Sequence, residues 1–243
     1  MYGIIGTEEA GNFGAIGIGG RGDPVTTIAY RDLSAVVSSV PMDNYMAGLG
    51  PMLSHQRVLE KVMKEHTLLP MRFYTVAPTA HAVRGLLRVC YRQFKQLLRE
   101  LEGKVELGLK AQWKDIDQML GRSSPSTLPA PGGLTAPPAR QGMWLALDKR
   151  RTQVREVLLQ PLRPLTAGLC LNRTGSDDII MNAAFLIDRS REGEFDAQVG
   201  QLSDRFRDTI QFRYVGPVPP YSFVNILVRE HIPAVGPQGE RRR

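Results

Sequence analysis

The sequence predicts an α+β protein built from antiparallel sheets covered by helices. Two patterns carry this: strand-length β-branched runs alternate with segments of helical apolar spacing, and the last six elements fall in the order strand, helix, strand, strand, helix, strand. A third observation divides the chain, because Gly121 to Gly142 (GRSSPSTLPAPGGLTAPPARQG) holds little that could build a core. At 243 residues and 42% hydrophobic content the chain can fill one large core or two small ones.

Tyr2 to Gly6, Val25 to Tyr30 and Leu33 to Val40 are short apolar runs bounded by turn residues, which predicts an N-terminal sheet containing a hairpin. With Ser54 as N-cap, Val58, Leu59, Val62 and Met63 fall on one helix face. From N-cap Thr79 to Leu101, Val83, Leu86, Leu87, Cys90, Phe94, Leu97, Leu98 and Leu101 keep the spacing of a single amphipathic helix, stopped by Gly103. Val105, Leu107 and Leu109 then alternate with Glu106, Gly108 and Lys110, the pattern of a half-buried strand.

Beyond the Pro-rich stretch, Met143 to Leu159 predicts a basic amphipathic helix ended by Pro161 and Pro164. Ala167 to Leu171 and Ile179 to Asp188 form a hairpin around the polar turn Asn172 to Asp178. Phe195, Val199, Leu202, Phe206 and Ile210 set out the next helix, and Phe212 to Val215 the last strand. From Lys104 onward this is the βαββαβ series of a ferredoxin-like sandwich, with the Pro-rich stretch inserted after its first strand. Order alone leaves open whether strand 104–110 belongs to that sheet or closes the N-terminal one. The expected division is an N-terminal α+β domain at 1–112, a linker or insertion at 113–142 and a C-terminal α+β domain at 143–243.

Composition narrows the function. Met1-Tyr2-Gly3-Ile4-Ile5-Gly6 has neither a basic n-region nor a long apolar stretch, and no segment is apolar enough to span a bilayer, so a cytoplasmic protein without a membrane role is expected. Cys90 and Cys170 lack a CxxC partner and sit in apolar periodic segments, which predicts two buried free thiols. A formal charge of +7 makes acidic partners plausible without choosing among them. Lys149-Arg150-Arg151 reads as a solvated helix face, and Arg241-Arg242-Arg243 as a frayed tail.

No motif yields a catalytic, cofactor or metal site. Gly17-Ile18-Gly19-Gly20-Arg21-Gly22 matches GxGxxG, yet Asp23-Pro24 and a β-branched run follow where a helix should open, so a hairpin-type loop is expected. His55, His66, His81 and His231 have no metal-ligand spacing, and Ser54-His55 lacks a nucleophile elbow, leaving His55 a helix-start or packing residue. Arg72, between Met71 and Phe73, would need a carboxylate if buried, with Glu60 as its partner; the alternative is that Leu69, Pro70, Met71, Arg72 and Phe73 present a partner-binding edge. Pro219, Pro220, Tyr221 and Phe223 compose either a docking segment or, preferably, an inter-domain clamp.

His55-Gln56-Arg57-Val58-Leu59-Glu60, Leu69-Pro70-Met71-Arg72-Phe73 and Thr75-Val76 together resemble the signature segment of the GvpF/GvpL family of gas vesicle proteins. Gly20-Arg21-Gly22-Asp23 leading into Leu33 to Ser38, Val105 to Lys110, and Gly216-Pro217-Val218-Pro219-Pro220-Tyr221-Ser222-Phe223 are similar to family segments in the same order. Tyr74 stands where the family often shows glycine, and the central insertion departs from it. The resemblance implies two domains with ferredoxin-like elements, the first a modified version. It further implies a non-enzymatic minor component of the gas vesicle, engaging the major hydrophobic shell protein and other accessory proteins during nucleation or assembly. The alternative is a basic ferredoxin-like RNA-binding module, disfavoured because Ile179 to Phe185 has one phenylalanine and no RNP1-like run; no nucleic acid partner is expected.

Overall fold

The computed structural model describes residues 1–18, 22–40, 49–116 and 138–226. Five strands make the first sheet: β1 (Gly3–Ile5), β2 (Asn12–Gly14), β3 (Val25–Tyr30), β4 (Leu33–Val37) and β5 (Leu68–Pro70). They lie antiparallel in the order β2-β3-β4-β1-β5. The predicted hairpin is β3-β4, while β2 and β5 are too short to leave a period in the sequence. Between β1 and β3 stands β2 rather than a helix, so the first sheet departs from βαββαβ order.

Both faces of this sheet are covered. Helix α1 (Leu49–Met63) closes one face, where Val58, Leu59 and Val62 meet Tyr2, Ile5, Phe13, Val25 and Val36. On the other face Val83, Leu87, Cys90, Phe94 and Leu98 meet Ile4, Leu33, Ala35 and Leu69. Two-sided burial is why β1, β4 and β5 read as continuous apolar runs instead of alternating ones.

Three helix expectations are corrected. α1 starts five residues before Ser54, which therefore lies inside the helix and does not cap it. The single helix expected from Thr79 to Leu101 is two, α2 (Ala80–Val89) and α3 (Tyr91–Glu100), with Cys90 at φ −94° and ψ 11° between them. Thr79 does cap α2, its hydroxyl accepting from the Ala82 amide at 3.1 Å. The bend lets α2 lie over β3 and β4 and α3 over β5 on a twisted sheet, while the apolar stripe continues unbroken. Helical spacing is blind to such a bend, because both halves face the same core. The third correction concerns Phe206 and Ile210: the last helix ends at Arg205, and Ile210 opens a strand. A turn with Phe206 N–H donating to Leu202 and Ile210 N–H donating to Phe206 keeps both residues toward the core they share.

After Gly103, whose φ of +68° makes the turn that ends α3, the chain enters the second sheet. Its strands are β6 (Lys104–Trp113), β7 (Thr166–Leu171), β8 (Ile179–Asp188) and β9 (Ile210–Val218), antiparallel in the order β7-β8-β6-β9. With α4 (Pro138–Leu159) after β6 and α5 (Glu192–Arg205) after β8, this is the ferredoxin-like series. β6, whose sheet the sequence left open, pairs on both sides within this one. Val105, Leu107, Leu109, Ala111 and Trp113 face α4 and α5. The opposite face carries Glu106, Gly108, Lys110 and Gln112, with Leu186, Ala184 and Asn182 in register on β8. Cys170, expected buried, is half-buried, because the pleat of edge strand β7 places it beside Ala184 on this more open face.

Candidate interaction surface

Two features project from this frame, an apolar stripe on α1 and a strap that follows β9. Along α1, Leu49, Met52 and Leu53 recur at helical spacing yet are 69%, 48% and 48% exposed. One turn on, His55 points inward: its Nε2 lies 3.2 Å from the Met71 carbonyl, and its ring sits 5.2 Å from Tyr2 and 5.5 Å from Phe73. Burial holds the His55 pKa below the usual imidazole value. His55 is thus the packing residue expected, and through it α1 fixes the loop after β5.

That loop carries Phe73 and Tyr74 ring to ring at 4.7 Å, with Tyr74 and Val76 exposed. Tyr74 has φ +72°, a left-handed backbone that disfavours any side chain with a Cβ. The Thr75 amide and hydroxyl both donate to the Arg72 carbonyl, at 3.1 and 2.7 Å, and the Met1 amine donates to the Thr75 carbonyl at 2.8 Å. These bonds hold the turn that presents Tyr74.

The residues singled out by sequence separate sharply. Leu69, Pro70 and Met71 are buried, the first two within β5, and Phe73 is half-buried. Arg72 is exposed, so its guanidinium needs no buried counterion; the Glu60 carboxylate instead accepts from Gln56 at 3.1 Å. Pro219 and Pro220 are buried, and Tyr221 is exposed with its hydroxyl 3.3 Å from Gln56 on α1. Phe73 therefore meets α1 at His55, and Tyr221 meets it at Gln56, one turn beyond Met52 and Leu53 on the same face. Sequence missed Leu49, Met52 and Leu53, although their three-and-four spacing was there to be read.

The strap ties the two sheets together. Ser222 donates from its amide and its hydroxyl to the buried Glu106 carboxylate on β6, at 2.7 and 2.8 Å. Phe223 packs over Gly168 of β7, where an added Cβ would lie 3.1 Å from its ring. Val224 and Ile226 continue into the core beneath α2 and α3. Desolvation raises the Glu106 pKa, a pull only partly offset by the two Ser222 donors.

The open face of the second sheet presents Gly108, Lys110, Gln112, Ala184, Asn182, Val215 and Arg213. No base-stacking ring stands at these strand positions, since Phe212 and Tyr214 turn to the helix-covered side. Asp23 accepts from Gly17 N–H at 2.9 Å, closing the loop that joins β2 to β3, so the GxGxxG stretch opens no helix; its Gly19 to Arg21 lie outside the described residues. The described residues include no group of three His, Cys, Asp or Glu able to hold a metal ion. No described helix is long and apolar enough to cross a membrane. His231 and the Arg241 to Arg243 tail also lie outside the described residues, as does the Pro-rich stretch up to Pro137.

Residues 1–225 match the model of the family described as gas vesicle synthesis protein GvpL/GvpF. The chain belongs to this family. It is 30% identical to gas vesicle protein F1 of Halobacterium salinarum over 99% of this chain and 97% of that protein. Gas vesicle protein L of a Streptomyces species is 28% identical over 88% of this chain and 87% of its own length. Crystal structures of GvpF from Anabaena and from Microcystis aeruginosa superpose with a TM-score of 0.78 each, at 25% and 26% identity, over 93% of this chain and 98% of theirs. This family member is thus a gas vesicle protein whose two-sheet architecture matches solved GvpF structures. The relatives bear gas vesicle names and none is named as an enzyme.

Proposed function

We propose that this protein is an assembly component of the gas vesicle that engages the hydrophobic shell subunit through the stripe on α1. The observation that carries the proposal is the run Leu49, Met52 and Leu53, left exposed on a helix whose other side is fully packed. Water-exposed aliphatic side chains at helical spacing suit an apolar segment of a partner, with Tyr221, beside Gln56 one turn further along α1, as an amphipathic anchor.

Co-expression with the shell protein tests the proposal. The M52S/L53S variant should fold like the wild type but lose co-purification with the shell protein and lose suppression of its aggregation. V157S, on the exposed side of α4, should keep both. Undiminished capture by M52S/L53S, or vesicle yield unchanged when the gene is deleted, would refute the assignment.

A further inference from the structure

A cavity of about 440 Å³ opens between α4 and the β7-β8 hairpin. Asp148, Arg151 and Arg155 follow one another at helical spacing along its α4 wall, and Arg173 stands in the opposing turn. Arg151 is partly compensated, donating to the Asp177 carbonyl at 2.9 Å with the Asp177 carboxylate at 3.7 Å. Arg155 and Arg173 face only Asp148 among the acidic residues that line the cavity. The cleft is left with an excess of positive charge. The Nε atoms of both Arg151 and Arg155 are buried and have no hydrogen-bond partner among the described residues. An unmatched guanidinium N–H in such a setting is costly, and a carboxylate meets it well, because Nε and a terminal nitrogen form a planar two-pronged donor.

Two further features specify what carries that carboxylate. β7 is an edge strand, hydrogen-bonded only to β8 among the described strands, so its outer backbone groups are available to an added strand. Leu169 and Leu171 on this strand are 36% and 47% exposed, and Leu171 with Ile180 and Met181 gives the cleft an apolar floor. Leu169 and Leu171 pair with Phe185 and Ala183 and so share the α4-facing side with the arginines. We infer that the cleft and the β7 edge together bind an extended peptide segment that presents on this one face a carboxylate to Arg155 and, two residues along, an apolar side chain to the β7 leucines. This site is separate from the α1 stripe, and its validity does not depend on what the stripe binds.

Fluorescence anisotropy on the full chain, with a fluorescein-labelled octapeptide repeating Glu-Ser-Val-Ser, which sets Glu and Val on one face of a strand, tests the inference. Saturable binding is expected, with no binding of the Lys-Ser-Val-Ser counterpart. R155M keeps the aliphatic bulk but removes the fork, and should weaken the acidic peptide by about tenfold or more. R150Q removes an exposed charge from the same helix outside the cleft and should change affinity by no more than about twofold. Hydrogen exchange of the β7 amides should slow when the peptide is bound. Equal losses in R155M and R150Q would mean unspecific charge attraction and overturn the site. Displacement by millimolar inorganic phosphate without protection of β7 would assign the cleft to a free oxyanion and overturn the peptide.

Discussion

The two sheets of this protein differ in how many of their faces are covered. The first lies between α1 and the α2-α3 pair, so β1, β4 and β5 have almost no outward side. The second packs α4 and α5 against one face and leaves much of the other to solvent, apart from the end held by the strap. A sheet enclosed on both sides spends its side chains on packing and meets other molecules only through the helices that cover it. A sheet enclosed on one side keeps polar positions along every strand and an accessible edge, and the arginine cleft lies at such an edge.

The largest expected contrast comes from core truncation. Phe94 is fully buried between α3 and the first sheet, and F94A should cost about 3–5 kcal/mol in urea denaturation. K110A, on the open face of β6, should cost within about 0.5 kcal/mol. Comparable losses would mean that the second face is covered in solution.

Two glycines sharpen the same comparison at smaller scale. A Cβ on Gly3 would lie 2.5 Å from Leu68 Cδ1 and 2.7 Å from the Leu69 carbonyl oxygen, and the backbone of β5 cannot move aside. On Gly108 the Cβ would meet Val215 Cγ2 at 2.8 Å, but that side chain is half exposed and can rotate. Thermal denaturation should show G3A destabilised by about 1–3 kcal/mol and G108A by clearly less. Equal shifts would break the distinction between an enclosed and an open sheet.

The smallest effects are pH-dependent and run in opposite directions. The Glu106 pKa is raised in the folded protein, so its contribution is fully present below the unfolded value of about 4.3 and is lost as pH rises through the folded value. E106Q should keep the strap through its amide and grow more stable relative to wild type as pH rises from 4 to 7. The His55 pKa is lowered, so its contribution is present above about 6.5 and is lost as pH falls through the folded value. H55Q should remove the part of the stability loss between pH 7 and 5 that His55 causes. Chemical denaturation across that pH range reads both, and parallel curves for wild type and E106Q would mean that Glu106 is solvated instead of clamped.

Legibility in the sequence followed periodicity. The alternation of Val105, Leu107 and Leu109, the hairpin around Asn172 to Asp178 and the cap at Thr79 were all readable, because each is a local pattern with a local cause. The bend at Cys90 and the turn at Phe206 were not, since a stripe that keeps facing one core looks the same whether the helix continues or breaks. Surface candidates fared unevenly for a related reason. Leu69 to Met71 resembled a partner edge because apolar residues beside Arg72 look alike whether they are buried in β5 or exposed.

By itself the sequence determined the family, the α+β class and the βαββαβ order from Lys104, because ordered motifs and apolar periods belong to consecutive residues. Tertiary structure alone decided that β6 pairs with β8 and β9, that the Pro219 to Ile226 strap closes onto Glu106, and that Leu49, Met52 and Leu53 stay in water. Those outcomes depend on which surfaces, far apart in the chain, compete to cover one another, and no local pattern records the result of that competition.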